Sequence, residues 1–124
     1  MSDRNMINWF EIPAVGFERA CTFYSKVLGV EIERTSMGDF KMGMLPMFNG
    51  KVSGAIVAGE GYTPSMAGTC IYLNADPDLN DALGRVEEAG GKILVPKTPI
   101  TPEYGFFAII VDTEGNKMHL HSNG

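Results

Sequence analysis

The amino-acid sequence predicts an α+β domain in which two βαβββ modules form a cupped, partly closed mixed sheet with helices outside. Three observations carry this. Apolar residues recur at helical period in two stretches, Phe17 to Leu28 and Leu79 to Ala89, and at strand period elsewhere. The order strand, helix, three strands occurs twice, and a shift of 62 residues lays Ala20 on Ala82, Tyr24 on Val86, Gly29 on Gly91 and Ile32 on Leu94. The chain closes on a hairpin. The apolar run Phe106 to Val111 stops at Asp112-Thr113-Glu114-Gly115-Asn116, and Lys117 to His121 then alternates. A single module would leave a sheet edge unpaired and a core half covered, so the two are expected side by side. The predicted organisation is one domain, 1–124, with repeats at 6–58 and 69–121 and a linker at 59–68.

Each element has its own signal. Met6 to Ile12 is a first strand, closed by Pro13 and Gly16, with Asn8, Phe10 and Ile12 on one face and Ile7, Trp9 and Glu11 on the other. In the first helix Phe17, Ala20, Cys21, Tyr24, Val27 and Leu28 form one stripe, and Gly29 is a natural stop. Short strands are expected at Val30 to Arg34, Phe40 to Leu45 and Ser53 to Ala58, with Pro46, Asn49 and Gly50 as breakers. The linker holds three glycines and Pro64. Thr69 to Ala75 is a strand, and Asp76-Pro77-Asp78 opens a helix striped by Leu79, Ala82, Leu83, Val86 and Ala89. Gly90-Gly91 ends it. Lys92 to Val95 is a strand, and Pro96 to Pro102 a proline-rich connection.

Composition narrows the function. The 124 residues carry a net charge of −5 with no cluster of Lys and Arg, which argues against nucleic acid. No apolar run is long enough to span a bilayer and no signal-peptide pattern opens at Met1, so no membrane partner and a cytoplasmic location are expected. Cys21 and Cys70 lie in apolar surroundings without metal spacing and read as buried thiols. Phosphate-loop, Gly-x-Gly-x-x-Gly and Gly-x-Ser-x-Gly motifs are absent.

The polar face of the last strand is the first place to look for a site, because both histidines of the chain, His119 and His121, fall on it. Strand rise puts them about 7 Å apart. Glu11, on the same face of the first strand as Trp9, is a candidate general base; its alternative is a solvent-facing or Arg-paired carboxylate. Together Glu11, His119 and His121 compose the two-His, one-carboxylate set of non-haem iron sites, the one metal reading the residues allow. Trp9 offers a flat wall for a ring or acyl chain, or a core aromatic. Met37, Met42, Met44 and Met47 flank the third strand as an adaptable surface or as gap-fillers. Tyr62 and Tyr104 sit in Gly/Pro-rich loops, at a pocket mouth or on the surface.

The sequence resembles the vicinal oxygen chelate superfamily, which includes glyoxalase I, the bleomycin-resistance proteins and the extradiol dioxygenases. The resemblance rests on Phe17-Glu18-Arg19-Ala20, Phe23-Tyr24 and Leu28-Gly29 in the first half. In the second it rests on Ile71-Tyr72-Leu73-Asn74, Val86-Glu87-Glu88-Ala89-Gly90-Gly91-Lys92 and Asp112-Thr113-Glu114-Gly115-Asn116. It implies the doubled βαβββ fold, a concave cavity for a small organic molecule and a homodimer. The family's metal ligands would fall on Trp9 (or Asn8), Gly54 or Ala55, Thr69 and His119, of which only His119 is an ordinary ligand. No resident cofactor is therefore expected, a divalent metal remaining the alternative. The implied function is a glyoxalase-like lyase or isomerase acting next to a carbonyl. Glu11 and His119 would be catalytic, and Trp9, Thr69, His121 and Tyr104 would hold substrate. The alternative is a binding protein of the bleomycin-resistance kind, for which the charge of −5 would suit a cationic ligand.

Overall fold

The computed structural model describes residues 5–124, so residues 1–4 of the expected domain lie outside the described residues. In the first half, β1 (Trp9–Pro13) is followed by α1 (Phe17–Leu28), β2 (Glu33–Met37), β3 (Phe40–Met44) and β4 (Ser53–Ala58). In the second, β5 (Tyr72–Asn74) is followed by α2 (Leu79–Val86), β6 (Lys92–Thr101), β7 (Gly105–Val111) and β8 (Lys117–Ser122). Each half makes a four-stranded mixed sheet, ordered β1-β4-β3-β2 and β5-β8-β7-β6, in which the first strand runs parallel to the last. The two βαβββ modules of an α+β fold are thus present. Their hydrogen bonding divides into two sheets where one continuous sheet was expected. The reason lies at the join. β5 pairs with β8 only from Tyr72 to Asn74, and residues 69–71 are not in strand. Asn116 bridges the gap instead, its Nδ2 donating to the Pro13 carbonyl at 2.7 Å.

Both helices cover the same side of the sheets. Phe17, Ala20, Cys21, Tyr24 and Val27 of α1 and Leu79, Ala82, Leu83 and Val86 of α2 are buried on their predicted stripes; Phe23, off the stripe, is buried as well, and Leu28 only in part. They meet Ile12, Ile56, Leu73, Ala108, Ile110, Met118 and Leu120 in one core. Close approach is required at Gly43, where a Cβ would stand 2.7 Å from Cys21 Sγ. α2 starts where the acidic residues indicate: Asp78 caps it by accepting from the Asn80 N–H at 3.0 Å.

Several boundaries differ from expectation. β1 begins at Trp9 because only 9–13 has a partner, Ser53 to Val57 of β4; Ile7 is exposed. The second strand is Glu33–Met37 and not Val30 to Arg34. Gly29 turns left-handed (φ 66°) and the Val30 N–H closes the helix on Ser25, which delays entry to the sheet. The expected strand Thr69 to Ala75 shrinks to three residues. The proline-rich connection is instead the continuation of β6, which tolerates Pro96 and Pro99 because it is an edge strand with three register shifts against β7. Cys21 is buried, but Cys70, in the segment before β5, is exposed.

Candidate functional site

Strand alternation decides which side chains leave the core. In β1, Ile12 is buried under the helices, so Trp9 and Glu11 face the other way. In β8, Met118 and Leu120 enter the core, so Lys117, His119 and His121 share the opposite face. The C-terminal end of β1 and the N-terminal end of β8 meet where Asn116 bridges them. A cleft of about 220 Å³ opens there. Glu11 and Lys117 stand in its walls with Thr63, Ser65 and Thr69 of the connecting segment, and Ile12, Ile71 and Met118 supply apolar surface.

Glu11 is held in place. The Tyr62 hydroxyl donates to its Oε1 at 2.6 Å, a bond that raises the phenol's pKa. Tyr62 is in turn packed edge-on against Phe40, with ring centroids 5.7 Å apart. Both rings, with Trp9 and Met44, cover a second apolar cluster of Met42, Ala55 and Val57 on the face of the first sheet away from the helices. Trp9 therefore belongs to this cluster and does not line the cleft, and Met42 and Met44 are its fillers.

The other expected site residues fall in three places. Glu11 and Thr69 line the cleft. His119 stands beyond it on β8, two residues from Lys117. It is 6% exposed beside the Tyr72 ring, whose centroid is 4.4 Å away, and its buried Nδ1 has no hydrogen-bond partner. Burial, then the nearby Lys117 charge, lowers the imidazole's pKa, so the ring is neutral at neutral pH. His121 lies further along, where its Nε2 donates to the Tyr104 carbonyl at 2.6 Å; the Tyr104 ring is exposed.

A metal does not fit these residues. The positions that match the family's ligand strands hold Trp9, Gly54 or Ala55, Thr69 and His119, and only the last has a suitable donor. The set Glu11, His119 and His121 is not gathered: Glu11 bonds Tyr62, and His121 bonds Tyr104. Among the described residues no three of His, Cys, Asp and Glu come together as a metal site.

Other residues that position the site were read only as turn formers. Asp112 is buried and accepts from the Tyr24 hydroxyl (2.5 Å), from Asn116 Nδ2 (3.0 Å) and from the Glu114 and Asn116 N–H groups. Burial, then the Asp112 carboxylate, raises the pKa of Tyr24 well above its ordinary value. The Glu114 side chain is wholly covered. It accepts from the N–H groups of Val15 (2.8 Å) and Gly16 (2.5 Å) and pairs with Arg19 at 2.7 Å, tying the β7–β8 turn to the start of α1. Burial alone would raise its pKa. The bonds from Arg19, Gly16, Val15 and Thr113 outweigh burial and hold it at about 2. Lys117 was grouped with the histidines by alternation but not singled out; its signal was that shared face.

Among known proteins, the family described as Glyoxalase/Bleomycin resistance protein/Dioxygenase superfamily matches residues 6–120. A glyoxylase-like domain-containing protein from Didymella fabae is 31% identical over 115 residues, covering 89% of this chain and 88% of its own. A glyoxalase I variant from Zea mays superposes with a TM-score of 0.71 at 22% identity, over 93% of this chain and 46% of the maize chain. This chain thus spans about half the length of that enzyme. TnmS3, an antibiotic binding protein from Streptomyces sp. CB03234, superposes with a TM-score of 0.65 at 17% identity over 100% of both chains. Two βαβββ modules in the expected order, with a match across nearly the whole length, place this chain in the glyoxalase/bleomycin resistance protein/dioxygenase superfamily.

Proposed function

We propose that this glyoxalase-like chain binds a small organic molecule in the cleft between its two sheets and moves a proton next to a carbonyl, as a lyase or isomerase does. The observation that carries this reading is the Glu11 carboxylate, fixed by Tyr62 in the wall of a 220 Å³ cleft. A positioned carboxylate within reach of an acidic C–H is a general base. Glu11 takes the proton and returns it to the same or the neighbouring carbon, and no step is routed through a metal. Thr69 lines the cleft and orients the ligand. His119, neutral at neutral pH with a free buried Nδ1, is the second proton-handling group, one strand step past Lys117. Trp9 acts through Tyr62, which packs in the same cluster. His121 and Tyr104 bond each other away from the cleft, and we withdraw them from ligand contact.

The reading extends to the assembly. We take the chain as one domain of two repeats, 6–58 and 69–121, acting as a homodimer, for which light scattering should give twice the chain mass.

The test is exchange. Wild-type protein in D2O is incubated with a panel of small ketones and hydroxyketones, and loss of the C–H signal next to the carbonyl is followed by proton NMR. Glu11→Gln should slow exchange by on the order of 100-fold, the usual worth of a positioned base. Exchange at the buffer rate with wild type, or an unchanged rate in Glu11→Gln, overturns the reading.

A second reading, binding without chemistry, draws support from the likeness to TnmS3 and from the aromatic and methionine surface at Trp9, Phe40 and Met44. Against it, the cleft is smaller than the roughly 300 Å³ at which pockets for drug-sized ligands begin. Ligand binding with no exchange on any panel member would favour it.

A further inference from the structure

Cationic side chains account for themselves almost everywhere in this fold. Among the described residues, Arg19, Lys26, Arg34 and Lys97 pair with carboxylates. Arg85 donates to the Lys26 and Val27 carbonyls at the end of α1. Lys41, Lys51 and Lys92 are exposed and lie in water. Lys117 is different. It is half-buried in the wall of the cleft, and no carboxylate of a described residue comes within ion-pairing distance. Glu11 shares the cleft yet makes no ion pair with it; its Oε1 accepts from Tyr62. An ammonium that lines a cleft without a protein counter-ion is free to take an incoming anion in a charge-assisted hydrogen bond.

We propose that the ligand of this cleft is a small carboxylic acid bearing a carbonyl or hydroxyl group, its carboxylate taken by Lys117 and its carbonyl-bearing end turned toward Glu11. The inference rests on the cleft being the binding site, as argued above. Opposed charges that do not meet set the ligand's direction. The ammonium takes the anionic end in a charge-assisted hydrogen bond, and the carboxylate, which repels that end, faces the carbon that bears the labile proton. The hydroxyl-bearing residues Thr63 and Thr69 serve the oxygen between them. The chain's net charge of −5 gives an anion no long-range attraction, so binding depends on this one local cation. A sequestered organic cation, which the net charge alone would favour, meets the wrong charge at Lys117.

The probe pair is pyruvate and its methyl ester, which differ by a charge and little else in shape. Each is titrated into the isotope-labelled full chain and followed through backbone amide shifts. Pyruvate should shift the amides of the 63–69 segment and of Lys117. The ester should bind at least 10-fold more weakly. Lys117→Met should lower pyruvate affinity at least 10-fold and leave the ester unchanged, while Lys117→Arg, which keeps the charge, retains it. Equal binding of acid and ester, no binding of either, or unchanged pyruvate affinity in Lys117→Met overturns the proposal. The outcome is independent of turnover: pyruvate bound through Lys117 without C–H exchange would sink the proton-transfer reading and leave the ligand class standing.

Discussion

The Glu114 carboxylate is the strongest electrostatic tie between the two modules, and replacing it makes a quantitative test. Its pKa falls from an ordinary 4.5 to about 2 in the folded chain. At about 1.4 kcal/mol per unit, the shift corresponds to about 3 kcal/mol of stability. Because the folded pKa is the lower one, that stability is fully present above about 4.5 and is lost as the pH falls toward about 2. The side chain is wholly covered, so the bonds from the Val15 and Gly16 N–H groups escape most solvent screening, although Arg19 itself is 60% exposed. Glu114→Gln keeps the shape but loses the charge and can satisfy only part of this donor set. Urea unfolding at pH 7 should show the variant less stable by about 2–3 kcal/mol. The difference between wild type and variant should shrink as the pH is lowered from about 5 to about 2, which removes the contribution of every other carboxylate common to both. Equal stability at pH 7, or two profiles that stay parallel down to pH 2, would refute the reasoning.

Two further outcomes are expected. The His119 imidazole should titrate below its ordinary 6.5 when followed by proton NMR, and Lys117→Met should move that midpoint up, since the lysine charge is the second cause of the depression after burial. A midpoint at or above 6.5 in the wild type would contradict the buried placement of the ring. Tyr62→Phe removes the bond that steadies Glu11 and should reduce C–H exchange while leaving pyruvate binding intact, a split that a general loss of folding cannot produce.

The helices were legible because burial and period coincide in them: every residue buried in α2, from Leu79 to Val86, lies on the predicted stripe. The closing hairpin was legible for the same reason at period two, with Met118 and Leu120 inward. Strand ends were not, because a strand ends where pairing ends, and β5 pairs only from Tyr72 to Asn74 although β8 runs on from Lys117 to Ser122. Proline misled at β6: only an edge position excuses Pro96 and Pro99, and edge position is a property of the assembled sheet. Within the candidate site Glu11 was found from its face on β1. Its separation from His119 was not, since the two lie on strands of different sheets whose approach no local pattern encodes. Asp112 and Glu114 look like turn residues in sequence, and their partners Tyr24, Val15 and Gly16 lie some 90 residues or more away. Lys117 gains its interest only from the absence of a counter-ion among the described residues, which depends on the folded arrangement.

The segment from Gly59 to Gly68 was expected to be a mere tether. It carries Tyr62, which fastens the carboxylate, and it contributes Thr63 and Ser65 to the chamber, while its Ser65 carbonyl accepts from the Lys117 N–H at 3.3 Å. The stretch between the modules is thus one wall of the cleft that stands outside both sheets. Exchanging its side chains, or changing its length by a residue or two, would alter the shape of the cleft and the hold on Glu11, with both sheets and their common core untouched. A scaffold built this way diversifies its chemistry by editing one strap.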